Sequence, residues 1–249
     1  MKILKKTYSK NNNEIVLQTC GISDDVGLEN PTYGDEKQCS SGSDFISPPS
    51  QRQKAKTILI IGVFHGDEPQ GKFLIENYIY GKGRGEAVQN NNFKNKLLFI
   101  PCLNPDGLAL KTRQNANKVD LNRNFPTSNW QISDNPEYFG GENSSSEIET
   151  RFLIEILEEF SPDIILTLHA PYKVVNYDGP AQEIAQKISE IIGYPVQEDI
   201  GYPTSGSFGT YAGVERKIPT ITLELDEKID VKELILPINK IFDYLANIC

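Results

Sequence analysis

The stretch Ile58-Leu59-Ile60-Ile61-Gly62-Val63-Phe64-His65-Gly66-Asp67-Glu68-Pro69 decides the fold, because an unbroken apolar run stops on side chains able to bind metal or move protons. From Ile58 to Phe64 apolar residues and glycine follow one another without period-2 alternation, the pattern of a strand buried on both faces of a parallel sheet. Open α/β sheets bind ligands just outside the carboxyl ends of their strands. His65 and Glu68 fall there at H-x-x-E spacing and are the first candidate ligands. Asp67 is placed to cap a following helix, and Pro69 suits a first helical position.

Outward from this stretch, strand and helix patterns alternate. Gln70 to Tyr80 carries Phe73, Leu74, Asn77 and Tyr78 at helical spacing, and Gly81-Lys82-Gly83-Arg84-Gly85 stops it. Leu97 to Leu103 is a second buried strand ending on Asn104-Pro105-Asp106-Gly107, a turn signal. Ser146-Glu147-Ile148-Glu149 resembles a capping box before an amphipathic helix from Thr150 to Phe160, which Ser161-Pro162 stops. Asp163 to His169 is a third buried strand, again ending on histidine. A helix over Gln182–Ile192, a loop over Gly201–Gly213, a strand over Ile218–Leu225 and a helix over Val231–Ile248 complete the C-terminal half. On the other side, residues 2–8 and 14–19 read as an edge hairpin turning through Lys10-Asn11-Asn12-Asn13. Ile22 to Lys56 holds no period and reads as an insertion, with a flap over the site as the alternative. The expected architecture is α/β: one domain with a mixed, mainly parallel sheet flanked by helices. Residues 1–55 add a hairpin and an irregular insertion to a catalytic region spanning 56–249.

At 249 residues the chain suits one large domain. A net charge of -9 and a pI near 4.9, with no lysine or arginine stripe, repel phosphate backbones and exclude nucleic acid as a partner. No run approaches the ~18 apolar residues of a membrane span. The basic residues near Met1 precede no apolar segment, so the expected location is the cytoplasm. Cys20, Cys39, Cys102 and Cys249 form no C-x-x-C pair and read as thiols.

The chain has two histidines, and both end predicted buried strands. Either alone is most simply structural. Together with Glu68, His65 and His169 match the two-histidine, one-glutamate ligation of catalytic zinc, which leaves a position open. Hydrolysis at such a metal needs a carboxylate outside the ligand set to take a proton from the attacking water. Glu224, in Thr220-Ile221-Thr222-Leu223-Glu224-Leu225, points away from the apolar side of its strand and is the candidate; without the metal set it is a solvent-facing glutamate. Arg113 and Arg123 in the polar segment between Lys111 and Asn129 suit a substrate carboxylate and an oxyanion, although loop arginines are ordinarily solvated.

In order, His65-Gly66-Asp67-Glu68, Asn104-Pro105-Asp106-Gly107, Val119-Asp120-Leu121-Asn122-Arg123-Asn124-Phe125-Pro126, the strand ending in His169, and Glu224 resemble the motifs of the zinc carboxypeptidase family, from about Lys56 onward. The resemblance implies one zinc ion per chain held by His65, Glu68 and His169, with Glu224 as general base then acid and Arg113 on the oxyanion. It also implies that Asn122 and Arg123 grip a substrate carboxylate, that Tyr202 is a mobile site tyrosine, and that the Ala170-Pro171 bond is cis. Asn115 to Pro126 and Gly201 to Tyr211 bring the nearer likeness, to the bacterial murein peptide amidases within that family. Such enzymes cut the γ-D-glutamyl to meso-diaminopimelate bond of murein tripeptides; the Ile22 to Lys56 segment departs from their pattern. Cleavage of ordinary or murein peptide C-termini is an alternative. Zinc deacylases of the aspartoacylase and succinylglutamate desuccinylase type share the H-x-x-E and Asn-Arg elements, but Asn104 to Gly107 and Ser207-Phe208-Gly209 speak against them. A non-catalytic binding protein is expected to lack a ligand or the base, and none is missing.

Overall fold

The structure, a computed structural model, describes residues 2–20, 54–81, 93–198 and 204–249. Its strands are β1 (Lys2–Tyr8), β2 (Glu14–Cys20), β3 (Thr57–Gly62), β4 (Lys96–Ile100), β5 (Ile164–His169), β6 (Val174–Asp178), β7 (Val196–Gln197) and β8 (Thr220–Glu224). Its α-helices are α1 (Gln70–Tyr80), α2 (Pro105–Leu110), α3 (Ile148–Phe160), α4 (Gln182–Ile192) and α5 (Ile235–Asn247). The strands form one mixed sheet in the order β1-β2-β4-β3-β5-β8-β6-β7. β4, β3, β5 and β8 run parallel through its middle, β1 and β2 form the expected antiparallel hairpin at one edge, and β6 lies antiparallel to β8 near the other.

The missing alternation in β3 has a direct cause. Ile58 and Ile60 face one core with Leu74, Ile75 and Tyr78 of α1 and Ile238, Ile241 and Phe242 of α5. Leu59 and Ile61 face a second core with Phe152, Leu153 and Ile156 of α3. Each side chain therefore meets a helix-covered face, as central strands of doubly covered sheets do. The three strand ends that carry His65, His169 and Glu224 open on the same edge of this parallel core.

Several local expectations are corrected. Pro69, in helical geometry, is itself the N-cap of α1, and no side chain caps that end, so Asp67 is not a cap. Asn104-Pro105-Asp106-Gly107 starts α2: the Asn104 side chain accepts from the Gly107 N–H, and Pro105 stands where no N–H is needed. No capping box forms before α3, because the Ser146 hydroxyl donates to the Glu147 carboxylate instead. The loop expected over Gly201–Gly213 gives way at Gly209 to a π-helix that runs to Glu215, and the C-terminal helix begins as a 3-10 turn at Val231–Leu234. β6, β7 and α2 were not expected. The proposed insertion, apart from residues 54–56, lies outside the described residues. Cys102 and Cys249 are free thiols. Among the described residues no helix is long and apolar enough to cross a membrane.

Candidate active site

Beyond β3 the chain enters a turn clamped from the side. Val63 adopts φ 54, a left-handed conformation that a β-branched residue rarely takes. The Leu103 N–H donates to the Gly62 carbonyl at 3.1 Å, the Asn104 N–H to the Val63 carbonyl at 3.0 Å, and the Asn104 amide to the Phe64 carbonyl at 3.2 Å. Gly66 lies against α2 so closely that a Cβ there would collide with the Gly107 carbonyl carbon. Only glycine fits. The clamp holds His65 and Glu68 almost out of solvent.

His169, the last residue of β5, comes to the same point, 101 residues beyond Glu68. Its ring stacks on Phe64 at 5.3 Å between centroids, and its carbonyl accepts from the Leu225 N–H at 2.8 Å. The two histidine Nδ1 atoms are 3.3 Å apart, with Glu68 Oε1 2.7 Å from one and Oε2 3.0 Å from the other. Two nitrogens bound to a tetrahedral ion at the usual zinc–nitrogen length stand roughly 3.3 Å apart. Two lone-pair nitrogens and a carboxylate, all buried and converging within 4.8 Å, thus fit a divalent cation. In the protein alone, burial disfavours a charged His65, but Glu68 and Asp120 outweigh it and raise the imidazole to about 9. Burial likewise opposes ionised Glu68, yet the two histidines hold its carboxyl well below the usual range.

One residue of this site was not singled out from the sequence. Asp120 is fully buried, and its Oδ2 accepts from Arg113 Nε at 3.0 Å and pairs with Nη2 at 2.9 Å. Its Oδ1 accepts from the Asn122 N–H at 2.9 Å and lies 3.4 Å from His65 Nε2. Nε2 makes no better-aligned bond among the described residues. A single carboxylate therefore orients a candidate ligand, an arginine and the turn that carries Asn122 and Arg123. The signal was present: an aspartate two residues before Asn122 is placed to cap a short helical turn, as it does here.

Arg113 and Arg123 flank the ring of Tyr138 at 5.3 and 5.6 Å, and Tyr138 was likewise not foreseen. Asn122 accepts from the Phe208 N–H through Oδ1 at 2.9 Å, which turns its amide nitrogen away from that bond. Glu224 pairs in register with His169, and its Oε2 is buried with no hydrogen-bond partner among the described residues. Burial and the neighbouring Glu68 push its carboxyl upward, partly offset by His169. His65, Glu68, His169, Glu224 and both arginines with Asn122 all line one cleft of about 380 Å³. The structure thus brings together every sequence candidate except Tyr202, which lies outside the described residues. The Ala170-Pro171 bond beside His169 is cis, as expected.

Fold and site together define a class, metallohydrolases built on a mixed α/β sheet. The model of the zinc carboxypeptidase family matches residues 18–183, and the chain belongs to that family. It is 30% identical over 233 residues to murein peptide amidase A of Vibrio campbellii, covering 88% of each chain. It is 32% identical over 124 residues to murein peptide amidase A of Escherichia coli K12, covering 45% of this chain and 51% of that one. Among solved structures it resembles the murein-tripeptide amidase of Escherichia coli O157 with a TM-score of 0.64 at 21% identity, over 96% of this chain and 89% of that one. It also resembles carboxypeptidase A of Helicoverpa armigera with a TM-score of 0.67 at 14% identity, over 98% and 68%. The chain is a hydrolase of this family.

Proposed function

We propose that the protein binds one zinc ion through His65, Glu68 and His169 and hydrolyses an amide bond next to a free carboxylate, in particular the γ-D-glutamyl to meso-diaminopimelate bond of a murein tripeptide. The observation that carries this reading is the presence, in one cleft, of a buried Glu224 oxygen without a partner among the described residues, beside the His-Glu-His set, together with Arg123 and Asn122. The murein peptide amidases to which the chain is similar support the choice of bond.

Zinc at this set would act as a Lewis acid on the amide carbonyl and make water a stronger acid. Glu224 takes a proton from the attacking water at its free Oε2 and returns it to the leaving nitrogen, and a carboxyl raised by burial suits both transfers. Arg113, held by Asp120, faces the oxygen that gains negative charge. Arg123 and the Asn122 amide hold the substrate carboxylate, which fixes the bond to be cut.

Mass spectrometry of products from L-Ala-γ-D-Glu-meso-diaminopimelate and from ordinary C-terminal peptides, run side by side, tests the proposal. Release of diaminopimelate from the first at a much higher kcat/KM is the expected result. Equal or better cleavage of ordinary peptides rejects the murein bond.

A further inference from the structure

The two arginines of the cleft are joined by a turn that lies outside the sequence motifs. Pro136–Tyr138 is a single 3-10 turn, and the Asn135 side chain caps it by accepting from the Glu137 N–H at 3.0 Å. Its backbone is fastened to the segments that carry both guanidiniums. Gln114, next to Arg113, donates from its side chain to the Pro136 carbonyl and, at 3.2 Å, to the Glu137 carbonyl. The Asp120 N–H donates to the Phe139 carbonyl at 2.8 Å, and the Asn124 amide to the Gly140 carbonyl at 2.7 Å. Gly140 lies against Arg123 so closely that a Cβ there would strike the Arg123 carbonyl oxygen. Residues 135–140 thus bridge one arginine segment to the other.

The side chain that this bridge carries into the cleft is Tyr138. The Arg113 and Arg123 guanidinium carbons lie 5.3 and 5.6 Å from the centre of its ring, both inside the ~6 Å over which an aromatic face attracts a cation. The attraction matters unequally to the two. Arg113 is already paired with Asp120. Arg123 is 8% exposed, donates through Nη1 to the Asn122 carbonyl at 2.7 Å, and pairs with no carboxylate among the described residues. A guanidinium withdrawn from water without an anion beside it gains more from a ring face than a solvated one does. Two cations at one ring also repel each other, and the negative face of the ring lowers the cost of holding both.

We propose that Tyr138 is a positioning residue that sets Arg113 and Arg123 as a pair, so that the grip on the substrate carboxylate and the hold on the oxyanion depend on one ring. The acting part is the ring face, and the hydroxyl is dispensable. The proposal rests on the roles given to the two arginines under the proposed function.

Nuclear magnetic resonance of the intact protein tests the placement without turnover. The Nε–H resonances of Arg113 and Arg123, assigned by their loss in Arg113→Lys and Arg123→Lys, are expected to be displaced by the ring from the positions of solvated arginines. They should stay displaced in Tyr138→Phe and return to those positions in Tyr138→Leu. Kinetics on L-Ala-γ-D-Glu-meso-diaminopimelate test the consequence. Tyr138→Leu should raise KM about five- to thirty-fold and also lower kcat, whereas Tyr138→Phe restores both to within about threefold of the wild type. In an Arg123→Ala background Tyr138→Leu should no longer raise KM. Should Tyr138→Leu fail to fold, pentafluorophenylalanine at position 138, with the shape of phenylalanine and the opposite charge on its face, should raise KM in its place. Leucine behaving like phenylalanine in either measurement, or an equal rise in KM in the Arg123→Ala background, overturns the proposal. If the tripeptide is not cleaved, the murein substrate is rejected and the resonances alone decide on Tyr138.

Discussion

His169 and Glu224 are register partners on β5 and β8, the last pair that the two parallel strands form. The same hydrogen-bonded ladder therefore sets the position of a candidate metal ligand and of the carboxylate beside it, and no loop intervenes. Removing charge from Glu224 should leave this frame undisturbed. Glu224→Gln is predicted to retain zinc and substrate affinity while turnover falls by at least ~10²–10⁴. Single-turnover kinetics with parallel binding measurements check this, and a variant that keeps a third of wild-type turnover rules out the proton-transfer role.

Metal content tests the ligand set independently. The wild type is predicted to purify with about one zinc per chain, and His169→Ala to lose it, since two protein ligands do not hold zinc well at this kind of site. Asp120→Asn should behave in between, weakening zinc ~10–100-fold through a misoriented His65 and Arg113. Elemental analysis after dialysis against a chelator distinguishes the three proteins; full retention by His169→Ala contradicts the assignment.

Arg123 should report on binding more than on chemistry. Its proposed partner, the substrate carboxylate, is charged in ground and transition states alike, so Arg123→Ala should mainly raise KM. Amidating that carboxylate should hurt the wild type and scarcely affect the variant. If the wild type cuts acid and amide forms equally well, Arg123 is not a carboxylate clamp.

Glu149 gives a prediction about stability and pH. It is 1% exposed, shares the Asn115 amide with Glu147, and burial raises it from the ordinary 4.5 to about 7. A folded-state pKa above the unfolded one favours folding fully below about 4.5 and loses that advantage as pH rises through about 7. The wild type should therefore lose stability relative to Glu149→Gln across that window, by an amount on the order of 3 kcal/mol. Thermal unfolding of both proteins at pH 5 and pH 8 measures it. A difference independent of pH shows that Glu149 does not titrate in the window.

The parts legible in the sequence are those with one dominant physical cause. β3 and β5 were visible because burial on both faces demands unbroken apolar runs, and α1 and α4 because one buried face imposes helical spacing. β6 was missed because its cleft-facing positions, Asn176 and Asp178, are polar and break the strand signal. The π-helix was missed because Gly209 and Gly213, which let it approach Asp178, read locally as loop glycines. Asp120 was passed over because a buried carboxylate depends on partners far away in sequence, here His65 and Arg113. The candidate ligands were legible for the opposite reason: a chain with two histidines offers few choices.

The backbone contact between Gly66 and Gly107 makes two distant sequence motifs one inheritable part. Gly66 cannot gain a side chain without forcing its turn and α2 apart, and a Cβ on Gly107 would strike the Asn104 side chain and the Gln114 carbonyl that clamp the same corner. An engineer who transplants the His65 turn into another sheet must carry the Asn104 corner with it. A library that randomises either position would disturb the His65 turn long before it explored new specificity, whereas variation on β6 leaves this joint untouched.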